Sequence, residues 1–84
     1  MPIPAPERTP AFAVGDVVVH LKKHDRYIVD RIPGQALMQI DDKWLPAYRY
    51  HREDKPDGLD EEFTRTQEDF ERSFVHVQFA PARR

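Results

Sequence analysis

Two histidines four positions apart, His20 and His24, are the first residues in the sequence whose type and spacing could do chemistry. On a helix this spacing places both imidazoles on one face, where they could hold a zinc ion together with a third ligand. The three valines before His20 favour a strand instead, and on a strand and its turn the two rings need not converge. We therefore interpret His20 as a partly buried hydrogen-bonding residue and His24 as a solvated one, and we predict no metal site and no cofactor.

A second set combines aromatic and basic residues along the middle of the chain. Aromatic rings on a sheet can stack on bases or other flat ligands, and guanidinium groups can hold phosphate. The alternative is that the aromatic rings form the core while the cations balance acidic residues. Tyr48 and Tyr50 share one face of a strand and Arg49 lies on the other, because side chains alternate along a strand. The set comprises Tyr27, Trp44, Tyr48, Tyr50 and Phe63 with Lys22, Lys23, Arg26, Arg49, Arg52 and Arg65.

Arg65 is the most suggestive of these cations, since it lies between Phe63 and a turn at Thr66. An arginine flanked by packed aromatic residues has its stem buried and its head fixed, which suits recognition of a carboxylate or a phosphate. The structural alternative is an ion pair with Asp69, with Glu68 or with an acid of a nearby loop.

Catalysis has little support in the sequence. The chain has no cysteine, and it contains no GxSxG motif, no HExxH motif and no glycine loop for phosphate. Its acids cluster from Glu53 to Glu62, where six acids and one lysine give a local charge of −5. Such a run is typical of a solvated loop, and the other interpretation is a surface that docks on a basic partner. We predict a protein that is not an enzyme.

Composition and charge restrict the classes of partner. The 84 residues suffice for one domain, and their net charge of −2 lacks the cationic excess on which nucleic-acid binding usually depends. The absence of cysteine, of a long apolar run and of a signal-like start in MPIPAPERTPAF leads us to expect a cytoplasmic protein without a membrane segment. A domain this small leaves an apolar face or a sheet edge open, which permits self-association.

The elements that must position these residues are predicted to be short antiparallel strands. Turn signals separate them at Gly15, at Pro33-Gly34 and at Asp41-Asp42, and the charged residues 22–25 form the tip of the first hairpin. Pro46 predicts an edge or a bulge in the fourth strand. The predicted strands are residues 17–20, 26–32, 35–40, 43–50, 62–66 and 75–79, and residues 66–74 form one or two helical turns.

The helical segment carries its own signals. Thr66 and Asp69 have the spacing of a capping box with aspartate in place of glutamate, and Phe70 and Phe74 lie on one helix face. We interpret residues 75–79 as a half-buried strand because apolar and polar side chains alternate in it. Residues 1–11 form a disordered proline-rich arm, residues 12–80 a single small β domain and residues 81–84 a basic tail in this interpretation.

The order of these pieces resembles a small bacterial and phage domain family of unknown function. Its pattern begins with an H-x-K-G hairpin closed by a tyrosine, followed by Y-R-x-L-Y and W-x-R-P-x-x-x-F; the corresponding segments here are VVHLKKHDRYIV, AYRY and FTRTQEDF. Lys23 stands in place of the family's glycine, Phe63 in place of its tryptophan and Thr66 in place of its proline. The resemblance implies a small β-barrel of the Src-homology-3-like kind and implies no activity.

These observations predict a mostly β fold, either a small antiparallel Src-homology-3-like barrel or a curled sheet, with one short helical turn. The leading functional hypothesis is a non-catalytic binding or adaptor module for a protein partner, of the kind that a phage encodes. The alternative is a module that binds nucleic acid or nucleotide on the aromatic and basic face. The expected binding residues are Trp44, Tyr48, Tyr50 and Arg65, with Lys22 and His20 at the hairpin.

Overall fold

The computed structural model describes residues 5–6, 8–54 and 62–80, and in these ranges the chain forms six strands and one helix. Each boundary lies within two residues of its predicted position, because the turns are set by local sequence signals. The elements are β1 (Val17–His20), β2 (Arg26–Arg31), β3 (Leu37–Ile40), β4 (Lys43–Arg52), β5 (Phe63–Thr66), α1 (Gln67–Ser73) and β6 (Phe74–Gln78).

β1 and β2 form the predicted hairpin, with Val18 opposite Tyr27. Tyr27 and Val29 are buried on one face of β2, while Ile28 on the other face is only half-buried. At the tip, His24 has a left-handed backbone with φ of 64°, and its N–H donates to the carbonyl oxygen of His20 at 2.8 Å. The prediction that the segments 17–20 and 26–32 are strands of a hairpin is therefore confirmed.

β4 is the longest strand and pairs with three others. Its first part pairs with β3 up to Pro46, and the rest pairs with β5 and β2. The β3–β4 ladder has no irregularity at Pro46, which stands at the end of that ladder. The register shift in the β2–β4 ladder lies in β2, between Val29 and Arg31. Of the two alternatives predicted for Pro46, an edge or a bulge, the edge agrees with the structure, because Pro46 pairs with β3 and lies outside the ladders with β2 and β5.

The sheet is antiparallel and open. Its strand order is β3-β4-β2-β1-β6, with β5 joined to β4 off this path, so β6 has β1 as its strand partner in the described ranges. The predicted fold class, mostly β with a curled sheet and one short helical turn, is confirmed. The Src-homology-3-like family assignment stays a prediction.

α1 begins at the predicted cap. The backbone N–H of Asp69 donates to the side-chain hydroxyl of Thr66 at 3.3 Å, and Thr66 has extended backbone angles, as an N-cap requires. Phe70 and Phe74 stack with ring centroids 4.3 Å apart. The helix thus fixes both phenylalanine rings against the sheet.

The core is built largely from aromatic rings. Phe70 is fully buried and lies 4.4 Å from the ring of Tyr48 and 5.0 Å from that of Tyr50. Such ring contacts add to the free energy gained from burial alone. The buried cluster consists of Phe12, Val18, Tyr27, Val29, Tyr48, Tyr50, Phe70 and Phe74.

β6 has the opposite orientation to the one its alternation predicts. Val75, Val77 and Phe79 are 43%, 44% and 52% exposed, whereas Phe74 is buried and His76 is half-buried. The inward anchor is Phe74, and the two-residue period of a strand then turns His76 inward as well. There His76 Nε2 lies 2.8 Å from Asp16 Oδ2.

Two carboxylates attach the outer segments to the helix and to the start of β1. Glu71 accepts hydrogen bonds from the side chain of Arg8 at 2.9 Å and from the backbone N–H of Ala11 at 3.0 Å. Asp16 is fully buried and accepts from the backbone N–H of Ala13 at 2.9 Å and of Ala80 at 2.8 Å. Part of the predicted arm, residues 8–11, therefore contacts the helix.

Three predicted segments fall at least partly outside the described residues. In the predicted arm, residues 1–4 and 7 lie outside the described ranges. Residues 55–61 of the acidic loop and residues 81–84 of the basic tail lie outside them as well. The predicted domain limits stay a prediction.

Candidate functional site

A cleft of about 550 Å³ lies between the tip of the β1–β2 hairpin and the C-terminal end of α1. The backbone N–H of Leu21 donates to the carbonyl oxygen of Ser73 at 2.9 Å, which holds the hairpin tip against the end of the helix. Both residues line the cleft. The other lining residues are His20 and Lys22 from the hairpin, Arg65 from β5, and Asp69 and Arg72 from α1.

Arg65 is held in place from three directions. Its Nε donates to the hydroxyl of Tyr50 at 2.9 Å, and its Nη1 donates to Asp69 Oδ2 at 3.0 Å. Its guanidinium carbon lies 5.4 Å from the centroid of the Phe74 ring, within the range of a cation–π contact. Burial alone would lower the pKa of Arg65, but Tyr50 and Asp69 outweigh that effect and raise it. The guanidinium is therefore a fixed positive charge.

His20 faces the cleft as a neutral ring. It is 7% exposed, and its ring lies edge-on to Phe74 with centroids 5.0 Å apart. Burial lowers the pKa of His20, and the positive charges of Arg65 and of Lys23 and Lys22 lower it further. The imidazole is thus uncharged at neutral pH.

The proton of the neutral His20 ring is on Nε2. The backbone N–H groups of Lys22 and Lys23 each point at Nδ1 from 3.1 Å. A backbone N–H can only donate, so Nδ1 is the acceptor and Nε2 carries the hydrogen. Nε2 lies 3.5 Å from Arg65 Nη2.

The cleft is locally cationic in a chain of net charge −2. Lys22, Arg65 and Arg72 contribute three positive charges, and Asp69 contributes one negative charge. The Asp69 carboxylate is already shared by Arg65 at 3.0 Å and Arg72 at 3.1 Å. These side chains can bind an anion.

Three of the six predicted binding residues, His20, Lys22 and Arg65, line this cleft together. Trp44 lies elsewhere, opposite Gln39 in the β3–β4 ladder, and is 47% exposed. The predicted alternative that Arg65 forms an ion pair with Asp69 is confirmed.

Tyr48 and Tyr50, which were also predicted to bind, lie in the core and do not line the cleft. They are 0% and 4% exposed, and their rings stack on Phe70 and Phe63 respectively. The hydroxyl of Tyr48 donates to Glu71 at 2.5 Å. These two rings belong to the core alternative that the sequence left open, and a partner or a base cannot stack on them in this structure.

Arg72 was not among the residues predicted to bind. Its signal is the three-residue spacing from Asp69, which places both side chains on neighbouring helix positions. The contact between the hairpin tip and the helix end, which brings Arg72 near Lys22, is a long-range contact that no local pattern indicates.

The structure gives His20 and His24 the roles expected of them. His20 is buried with its Nδ1 engaged, and His24 is exposed at the hairpin tip. Within residues 5–6, 8–54 and 62–80, no group of three or more histidine, aspartate or glutamate side chains is arranged to hold a metal ion.

Comparison of the chain with known protein families, with curated proteins and with solved structures finds no match. In the part of the chain that the structure describes, no helix is both long enough and apolar enough to cross a membrane.

Proposed function

We propose that the protein is a small non-catalytic binding module and that it captures a protein partner through the cleft between its first hairpin and its helix. The observation that carries this proposal is Arg65, which Tyr50, Asp69 and Phe74 hold in one orientation at a cleft with two further cations. A charged group positioned before binding loses little side-chain entropy when its ligand arrives.

A protein partner fits the charge distribution better than nucleic acid does. The cationic excess of the cleft is confined to three side chains, and the whole chain is acidic. Nucleic-acid binding usually relies on many phosphate contacts and on exposed rings for stacking. Tyr48 and Tyr50, the central rings of that hypothesis, are buried.

A capture experiment with matched charge variants tests the proposal. The immobilised protein is incubated with lysate of its source cell, with and without nuclease, and bound proteins are identified by mass spectrometry. The cleft variant is Lys22→Gln with Arg72→Gln, and both residues are exposed. The control, Arg31→Gln with Lys43→Gln, removes the same charge from two exposed residues that do not line the cleft.

We expect the unmodified protein and the control to retain the same partner after nuclease treatment and the cleft variant to lose most of it. Capture that nuclease abolishes would replace this proposal with the nucleic-acid alternative. Equal capture by both double variants would place the binding surface outside the cleft.

A further inference from the structure

Two hydrogen-bond donors face each other inside the cleft. His20 Nε2 carries its hydrogen because Nδ1 accepts from two backbone N–H groups, and Arg65 Nη2, which can only donate, lies 3.5 Å away. His20 is 7% exposed and the Arg65 side chain is 29% exposed, so the accessible side of this opposed pair is the cleft itself. An oxygen atom that accepts from both groups would complete the arrangement.

The remaining donors of Arg65 favour an anion with several separate oxygen atoms. A planar carboxylate is usually held by two parallel N–H groups of one guanidinium. In Arg65 the Nε donor is engaged by Tyr50 and one Nη1 donor by Asp69, so each two-nitrogen edge of the guanidinium already includes an engaged nitrogen. A tetrahedral anion does not need a free edge, because each of its oxygens can accept from a different residue.

The charge of the cleft matches a doubly charged anion. Lys22, Arg65 and Arg72 against Asp69 leave an excess of two positive charges beside a neutral His20. A phosphate monoester carries roughly two negative charges near pH 7, whereas a carboxylate and each phosphodiester of a nucleic acid carry one.

We propose that the cleft is a binding site for a phosphate monoester, whose oxygens accept hydrogen bonds from His20 Nε2 and Arg65 Nη2 while Lys22 and Arg72 balance its charge. The inference rests on the proposed function in taking this cleft as the binding surface, and it names the recognised group as a phosphorylated side chain of the partner. Free inorganic phosphate has the same chemistry and is the other source to test.

Titrations followed by nuclear magnetic resonance test this site on the purified protein. The probes are inorganic phosphate and N-acetyl-phosphoserine amide, with acetate and dimethyl phosphate as single-charge controls. We expect the ring C–H signals of His20 to shift saturably with both monoester-type probes and to stay in place with the two controls at equal concentration. Phosphoserine binding tighter than phosphate would indicate a phosphorylated partner, and phosphate binding alone would indicate a site for the free anion.

The variant that tests the role of His20 Nε2 is His20→Asn. The asparagine side-chain oxygen can replace Nδ1 as acceptor for the backbone N–H groups of Lys22 and Lys23, but no hydrogen remains where Nε2 carried one. We expect phosphate affinity to fall about tenfold, because one hydrogen bond to a charged group is lost. Lys22→Gln with Arg72→Gln should also weaken binding, and Arg31→Gln with Lys43→Gln should leave it unchanged.

Several results would overturn the inference. They are phosphate binding no tighter than acetate binding, undisturbed His20 signals, or a folded His20→Asn variant with full phosphate affinity. If His20→Asn fails to fold, full affinity in the Lys22→Gln and Arg72→Gln double variant overturns it equally. Partner capture that depends on the cleft without phosphate binding would refute this inference alone, and phosphate binding without a captured protein would refute only the proposed function.

Discussion

Glu71 shows how one side chain can attach a distant segment to the helix. It accepts hydrogen bonds from Arg8, Ala11, Tyr48 and Gln67. Burial alone would raise the pKa of Glu71, but these donors and the charge of Arg8 outweigh burial and lower the pKa below its ordinary value. Burial and the hydrogen bond to Glu71 raise the pKa of Tyr48, so the pair is an ionised carboxylate beside a neutral phenol.

The lowered pKa of Glu71 predicts acid sensitivity. The unfolded chain binds a proton at this residue near pH 4.5, the ordinary value, whereas the folded protein binds it only at lower pH. Its contribution to stability is therefore complete above pH 4.5 and is lost as the pH falls through the folded pKa. The free energy of unfolding is measured with urea at pH 7 and at pH 3.5. It should fall less between these two pH values in Glu71→Gln than in the unmodified protein.

Glu68→Gln is the control for this measurement, because Glu68 lies on the same helix but is exposed. We expect it to retain the acid sensitivity of the unmodified protein. If Glu71→Gln and Glu68→Gln respond alike to acid, the hydrogen bonds to Glu71 do not stabilise its ionised form.

For individual residues, the sequence predicted which side chains share a face of a strand but not what each face contacts. The two-residue period correctly placed Tyr48 and Tyr50 together and Arg49 opposite. It could not decide between core and ligand, since a phenol suits either. The partners that decide it, such as Glu71 for the Tyr48 hydroxyl and Phe63 for the Tyr50 ring, lie on other elements of the chain.

Among the elements, α1 depends on its cap. With only seven residues, the helix has few internal hydrogen bonds, and the Thr66 hydroxyl satisfies one of the free N–H groups of its first turn. Thr66→Ala should reduce the free energy of unfolding by about 1 kcal/mol. Thr66→Ser retains the hydroxyl and should cost clearly less in the same urea titration; equal losses would show that the cap does not stabilise the helix.

The turn between β3 and β4 offers a stabilising change. Asp41 and Asp42 both have left-handed backbone angles, with φ of 50° and 67°, as a two-residue hairpin turn requires. Glycine adopts this conformation without steric cost, so Asp42→Gly should raise the free energy of unfolding by roughly 0.5–1 kcal/mol. Asp42→Ala should lower it, and thermal melting of the two variants measures the difference; a lower melting temperature for Asp42→Gly would contradict the argument.

The elements themselves were predictable because their signals are local. Turn residues gave the strand limits, and the spacing of Thr66 and Asp69 gave the start of the helix. β6 was misjudged because alternation shows that two faces differ without showing which face meets the core. Phe74 decides this orientation by packing on Phe70, and it precedes the segment whose alternation was interpreted.

For the molecule as a whole, the ring of Phe70 is a central contributor to stability. Phe70 contacts the rings of Phe12, Tyr48, Tyr50 and Phe74. A domain of this length is stable by roughly 4–12 kcal/mol, and a buried phenylalanine changed to alanine costs about 3–5 kcal/mol.

Phe70→Ala should therefore lower the free energy of unfolding by about 3–5 kcal/mol, a large share of the total, and markedly lower the melting temperature measured by circular dichroism. Val75→Ala is the control, since Val75 is 43% exposed, and it should change the free energy of unfolding by no more than about 0.5 kcal/mol. A folded Phe70→Ala variant with an unchanged melting temperature would mean that the core is organised differently.

The arrangement of the whole sheet was beyond prediction from one sequence. β1 pairs with β6 and β4 pairs with β5 across long stretches of chain, and neither pairing has a local signal. The cleft depends on the first of these pairings, because it brings His20 of β1 beside Phe74 at the end of α1. Three cleft residues could therefore be named individually, while their convergence could not.

The carboxylate of Asp16 receives the backbone N–H groups of both Ala13 and Ala80. The backbone at Ala13 is thus held close to the backbone at Ala80. A flexible linker from Ala80 back to Arg8, which keeps Phe12 in the core and Ala11 on Glu71, with new ends opened at Asp41 and Asp42, would give a circular permutant that keeps the same strand pairings. Because the opening lies in the β3–β4 turn, which does not line the cleft, such a rearranged chain is expected to retain its binding surface.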